Sequence, residues 1–359
     1  MSSSRNIRAE YDQTPQHHIP LIHSLSDDLA ILCLSRVPRK YHHVLRCVSK
    51  SWRALLCSED WLSCRSRQNL TETWIYAMCV SKDRVNCCYV LDPNALSLNW
   101  KLLGPIPPQC IRREGMSFEA LGRKLFLFGG CSCHEKATDE VYCYDACAGK
   151  WEEVARMPTG RCYFLSAALG DKIYVTGGLG LSSVALSCWD IYDCRLNEWS
   201  SHQDPSLIPD IVKSFAFEGK VYTVHSTWVD RQYARAYDPS SRSWEDLSRQ
   251  MTSCCHGPTV VSSGILHMLD ETHGTRLMTW EKENEEWVLL GRLAQGLTNP
   301  PCQLVAVGSC VYVVGHNLST VVVDTEINGA RPEGVLVGSS LAPKLGSDVS
   351  VMSCKAVTI

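Results

Sequence analysis

Residues 121–151 read LGRKLFLFGGCSCHEKATDEVYCYDACAGKW, and residues 169–199 repeat the layout as LGDKIYVTGGLGLSSVALSCWDIYDCRLNEW. In each, a glycine (Gly122, Gly170) precedes a short apolar run, Leu125 to Phe128 or Ile173 to Thr176, that ends in a glycine pair, Gly129-Gly130 or Gly177-Gly178. A Tyr-Asp pair follows (Tyr144-Asp145, Tyr192-Asp193), and a tryptophan, Trp151 or Trp199, stands six residues after the aspartate. Short apolar runs bounded by glycine read as strands. The glycine pairs suit positive φ and close backbone approach at a strand end. The aspartates suit turn starts, where a carboxylate accepts from amides two residues on.

Outward from these two units the pattern continues and fades. Trp100, Trp151, Trp199, Trp244 and Trp287 are separated by 51, 48, 45 and 43 residues. Asp145, Asp193, Asp238 and Glu281 each precede their tryptophan by six, and Asp92 precedes Trp100 by eight. Strand-like runs recur at Val221 to Val224, Ile265 to Leu269 and Val311 to Val314, each just after a glycine (Gly219, Gly264, Gly308). The layout is complete around 118–158 and 163–203 and fainter around 213–248. Around 256–292 Leu269-Asp270 replaces the glycine pair, and after Gln303 only fragments remain.

A unit of this length, made of short strands, is a small twisted sheet that cannot cover both its faces. Stacking such sheets around an axis buries those faces and leaves only short edges. Each tryptophan is expected to wedge against a neighbouring sheet. Thr73 to Leu103 offers strands but no room for an inner one, and Val349 to Ile359 is an apolar run with no unit after it. The simplest closure lets that terminal run complete the first sheet. It gives six blades, with five or seven left open.

The segment before the repeats differs. Residues 20–61 read PLIHSLSDDLAILCLSRVPRKYHHVLRCVSKSWRALLCSEDW. Ser26, followed by Asp27 and Asp28, is a helix start, with a side-chain cap and acids where the helix dipole favours them. Leu25, Leu29, Leu32 and Val37 recur at near-helical spacing until Pro38 stops the helix. A second helical stretch carries Val44, Leu45 and Val48, and a third carries Trp52, Leu55 and Leu56. Three short helices cannot bury all these apolar groups among themselves. The surplus face must meet either the rest of the chain or a partner.

Composition excludes several classes. The 359-residue chain is 45% hydrophobic and carries a formal charge of −3. It lacks the basic excess of a phosphate-driven nucleic-acid binder. No run of about 18 apolar residues marks a membrane helix, and Met1 to His18 lacks an apolar secretory core. Many of the 20 cysteines, among them Cys33, Cys47, Cys79, Cys143, Cys188 and Cys310, sit in apolar runs. There a reduced thiol acts as a small hydrophobe, so a reducing compartment, cytoplasm and/or nucleus, is expected.

Two families are resembled. The glycine pair, the Tyr-Asp and the tryptophan six residues on resemble the kelch repeat, which implies an all-β propeller. Pro20-Leu21, the Leu-x-x-Asp-Leu-type helix, Val37-Pro38 and the Leu45 to Arg53 ending resemble the F-box over about 40 residues. Ser49 stands where that motif usually has cysteine. The expected organisation is a flexible tail over 1–18, an all-α F-box over 19–64 and a kelch propeller over 73–359. The order is common among plant receptors.

The resemblance implies a non-catalytic subunit of a ubiquitin ligase. Its F-box would dock on a Skp adaptor, and through it a cullin, while the propeller holds a protein substrate. The docking residues it implies are Pro20, Leu21, Leu25, Leu29, Leu32, Val37, Pro38, Val48 and Trp52. The alternatives are a non-catalytic kelch scaffold and a small-molecule sensor. Phosphate-loop, dinucleotide and HExxH motifs are absent, and no catalytic residue or cofactor is assigned. Cys131, Cys133, His134, Cys143 and Cys147 are the densest thiol cluster, but their spacing is not that of a zinc knuckle, so no metal is expected. Candidates for substrate contact are Arg161, placed to face a central channel, with Trp228 and Arg231.

Overall fold

The computed structural model describes residues 20–132, 136–180, 188–203, 211–226, 232–252, 257–272, 275–293, 298, 300–328 and 348–359. The tail expected over 1–18 lies outside them. The chain divides into two compact units, Met1–Thr71 and Glu72–Ile359.

Among the described residues the first unit has four α-helices rather than three: α1 (Asp27–Ser35), α2 (His42–Val48), α3 (Lys50–Leu55) and α4 (Glu59–Arg67). Leu34, Leu55, Leu56 and Trp61 form its core, flanked by Leu21, Ile22, Ile31, Leu45, Trp52 and Leu62. The expected side-chain cap at Ser26 is not made. Asp27 instead turns back and accepts from the Leu21 amide at 3.0 Å, pinning the entry strand. The serines that do cap are Ser49, which accepts from the Trp52 amide at 3.0 Å, and Ser58, which accepts from Trp61 at 3.2 Å. Buried Arg65 on α4 donates to the carbonyls of Ser35 (2.7 Å) and Val37 (3.1 Å), tying α4 to the end of α1.

The second unit is a six-bladed propeller of antiparallel sheets. Blade 2 runs Ser117–Leu121, Lys124–Phe128, Val141–Asp145, Lys150–Glu153 from the axis outward. Blade 3 runs Leu165–Leu169, Lys172–Thr176, Cys188–Asp193, Glu198–Gln203. Blades 4 and 5 likewise have four strands, beginning at Ile211–Phe217 and Thr259–Ser262, and blade 6 has three described strands from Gln303–Val307 to Thr320–Asp324. Blade 1 takes its innermost strand from the C-terminal segment: Val349–Thr358 pairs with Thr73–Ser81, from Thr73 opposite Thr358 to Ser81 opposite Val349. This closure, inferred from the missing inner strand, buries Val349, Val351 and Cys354 against Ile75, Ala77 and Cys79, with half-buried Ala356 packed beside them.

The repeat signals act as their chemistry implies. Asp145 accepts from the amides of Cys147 (2.7 Å) and Ala148 (2.9 Å), and Asp193, Asp238 and Asp92 make equivalent turns. The tryptophans wedge between blades. Trp100 donates to Thr320 of blade 6 (2.9 Å), Trp199 to the Ala155 carbonyl leaving blade 2 (2.8 Å), and Trp287 to the Met251 carbonyl leaving blade 4 (3.2 Å).

The glycine pairs make room for the segment entering each blade. A Cβ on Gly178 would lie 2.5 Å from Phe164 Cβ. In blade 5, where Leu269-Asp270 replaces the pair, the vacancy has moved to the facing segment. A Cβ on Gly257 would lie 1.6 Å from the Leu269 carbonyl oxygen.

One rim of the propeller carries turns of two to four residues, such as 122–123, 146–149, 170–171 and 194–197. The other carries the long connections, such as 103–116 and 154–164.

Candidate functional site

Two surfaces have the makings of sites. In the helical unit the sequence places nine residues on a docking face, and the structure divides them. Leu29 is 51% exposed, Val48 57% and Leu25 37%, with Pro20 and Pro38 also exposed. Leu32 and Val37 are half-buried. Leu21 and Trp52 pack against the unit's own core, and the Trp52 indole donates to the Leu21 carbonyl at 2.7 Å. Tyr41 and Val44, outside the nine, are 49% and 51% exposed. A periodicity stripe does not say which of its sides the other helices cover. Large apolar side chains left in water on so small a unit mark an interaction surface. Cys33 and Cys47, read as buried small hydrophobes, are exposed on α1 and α2.

In the propeller the six innermost strands enclose a channel with a cavity of about 330 Å³, lined by Glu119, Ser166, Lys213, Thr259, Gln303 and Lys355 among others. Glu119 is buried, accepts from Lys355 Nζ at 2.6 Å and from Ser166 Oγ at 3.1 Å. Ser166 and Ser117 hydroxyls are 2.6 Å apart. Lys355 lies on the closing strand and Glu119 on blade 2, so this pair also clasps the ring where it closes.

Arg161 does not face this channel. It lies in a short ribbon before blade 3, 1% exposed, with Nε and Nη2 donating to Asp190 Oδ2 at 3.2 and 2.9 Å and Nη1 donating to the Gly177 carbonyl at 2.9 Å. Asp190 is equally buried and accepts on its other oxygen from Ser201 at 2.7 Å. This is a pin inside the blade 3 region, out of reach of a substrate. The other two candidates, Trp228 and Arg231, lie outside the described residues, as do Cys133 and His134 of the thiol cluster. Among the described residues no group of three His, Cys, Asp or Glu is arranged to hold a metal.

Cys79, Cys88, Cys143 and Cys354, buried in the propeller, are free thiols. Burial pushes the thiols of Cys79, Cys88 and Cys354 far above their ordinary range, so they stay protonated and inert.

Comparison with known proteins matches residues 22–63 to the F-box domain and residues 73–267 to the KLHDC2/KLHL20/DRC7 Kelch-repeats domain. Among curated relatives, the F-box/kelch-repeat protein SKIP4 of Arabidopsis thaliana is 39% identical over 97% of both chains. F-box/kelch-repeat protein SKIP30 of Arabidopsis thaliana is 23% identical over 94% of this chain and 97% of its own. The F-box protein AFR of that plant is 26% identical, covering 75% and 73%. Among solved structures, that of YjhT superposes with a TM-score of 0.50 at 13% identity, covering 70% of this chain and 96% of its own. That last likeness speaks to the propeller fold.

Proposed function

We propose that this chain, which belongs to the F-box/kelch-repeat family, is the substrate-recognition subunit of an SCF-type ubiquitin ligase. The observation that carries the reading is the set of large apolar side chains left exposed on the helical unit, Leu25, Leu29, Tyr41, Val44 and Val48, in a chain whose second unit is a propeller with its long loops on one rim. Burying such side chains fully contributes about 1.5–3 kcal/mol each, and these, already partly covered, would each contribute part of that toward the cost of holding a Skp adaptor. Pro20, Leu32, Val37 and Pro38 complete the proposed face, and Leu21 and Trp52 shape it from behind.

The mechanism is proximity. The propeller holds a target protein beside a conjugating enzyme recruited through the adaptor and a cullin, raising effective concentration without chemistry on this chain. Free thiols such as Cys33, Cys47, Cys79 and Cys354 favour the cytoplasm and/or nucleus as its place of work.

Co-purification tests the reading. Wild-type chain should capture a Skp adaptor, and Pro20→Ala with Leu29→Asp should abolish capture while the propeller keeps its unfolding transition. No capture by the wild type, or unchanged capture by the variant, would overturn it.

A further inference from the structure

On the long-connection rim, between blades 1 and 2, lies a cavity of about 360 Å³. This is within the range of pockets that hold small ligands or side chains. One side of its wall is apolar and thioether-rich, with Met78, Met116, Met352 and Phe118, and the other is polar, with Arg84, Asn86, Arg113 and Glu114. Three features present side chains to it.

The first is a β-bulge in the closing strand. Met78 pairs with Ser353 and Cys79 with Val351, so Met352 has no partner across the ladder. Bulges re-aim side chains, often beside functional sites. Met352 is 53% exposed between buried Val351 and half-buried Ser353.

The second is Tyr163, a non-glycine residue at φ +53° and 57% exposed. Its amide donates to the Gly115 carbonyl at 2.8 Å and its hydroxyl to Glu114 at 3.1 Å. Gly115 permits the fit, since a Cβ there would lie 2.7 Å from the Tyr163 nitrogen. A left-handed backbone that positions an exposed ring is strain held for something other than the core.

The third is Arg84, at the tip of the hairpin turn 82–85. Its Nη1 donates to Glu114 at 2.9 Å, while its side chain is 80% exposed and the rest of its fork faces water. So exposed a pair exchanges readily for a better one, and the guanidinium fork suits a second carboxylate.

The geometry points to a peptide-anchoring cleft, in which an extended segment of the target protein buries one large unbranched or aromatic side chain among Met78, Met116 and Met352 and presents an adjacent Asp or Glu to Arg84, with Tyr163 as the wall between. Thioethers adapt to apolar groups of varied shape, so the cleft selects for bulk beside a negative charge rather than for one residue. This inference rests on the propeller being the substrate-holding part of the chain.

The test uses full-length chain and a phage-displayed library of random nonapeptides. Recovered peptides should carry Leu, Met or Phe within two residues of Asp or Glu. Fluorescence polarisation of a recovered, labelled peptide should show at least 10-fold weaker binding to Arg84→Glu and to Met352→Asp. A version with Lys in place of its acid should recover affinity for Arg84→Glu. Arg84 is exposed, so its variant keeps the fold, which the thermal transition checks. Absence of the enrichment, or affinities unmoved in both variants, would overturn the cleft. Skp capture is read separately: its loss with peptide binding intact would sink the ligase reading and leave the cleft standing.

Discussion

Replacing Asp190 with asparagine should cost more than its size implies. The carboxylate is 1% exposed and accepts from Arg161 Nε and Nη2 and from Ser201 Oγ. An asparagine side chain in its place would keep the volume and remove the charge, leaving the Arg161 guanidinium buried beside the Gly177 carbonyl without its carboxylate. Breaking a buried pair from one side costs about 3–5 kcal/mol. At roughly 2–4 °C per kcal/mol for a domain of this class, the transition should fall by about 6–20 °C. Urea unfolding followed by tryptophan fluorescence suits the measurement. Trp189, next in sequence, is buried edge-on to Tyr237 at 4.4 Å and reports on the site. The double variant Arg161→Met with Asp190→Leu removes both charges and should be more stable than either single variant. A cost for Asp190→Asn below about 1 kcal/mol, or strict additivity in the double, would refute the assignment of this pair as a structural pin.

Other outcomes follow from the same structure. His267 is buried against Thr279, and burial pushes its pKa down to about 4 from 6.5. Its contribution is therefore complete above pH 6.5 and drains away as pH falls toward 4, by up to about 1.4 kcal/mol per pH unit. His267→Gln should flatten the stability–pH curve in that window, as denaturation at stepped pH would show. Gly257→Ala places a methyl against the Leu269 carbonyl and should lower the melting transition by more than Gly122→Ala, whose Cβ would meet open space. Iodoacetamide under native conditions should label the exposed Cys33 and Cys47, while Cys79, Cys88 and Cys354 stay unmodified until the protein unfolds. Mass spectrometry of the alkylated peptides distinguishes these sets.

The sequence disclosed what is local and repeated. Turn aspartates, glycine pairs and spaced tryptophans each do a job set by near neighbours, so their reading transferred directly to six blades. The closing strand was legible because its absence from the first unit was. Blade 5 looked degenerate because its steric vacancy moved from the strand end to Gly257 on the facing segment, and one-dimensional periodicity cannot follow such a trade. Arg161 was misplaced for a similar reason: its partner Asp190 lies 29 residues on, and their meeting depends on how the ribbon crosses blade 3. On the helices, spacing found the apolar residues but could not tell the covered side from the wet one. Leu21 and Trp52 pack against the unit's own core while Tyr41 and Val44 stay exposed. The cleft beside Met352 left no trace in the sequence, because a one-residue bulge shifts register without changing composition.

The strand order of blade 1 has a consequence for the order of events on the ribosome. Strands 73–81 and 86–91 emerge early, but the strand that covers them, 349–358, is made last among the described elements. At about 5–20 residues per second, the intervening chain takes on the order of tens of seconds to synthesise. Throughout that interval the edge carrying Ile75, Ala77 and Cys79 stands open to other strands. The rest of the ring can stack blade upon blade, yet it stays an open arc until the closing strand arrives. Quality control of this protein in the cell should thus be most stringent on chains that stop short of Val349.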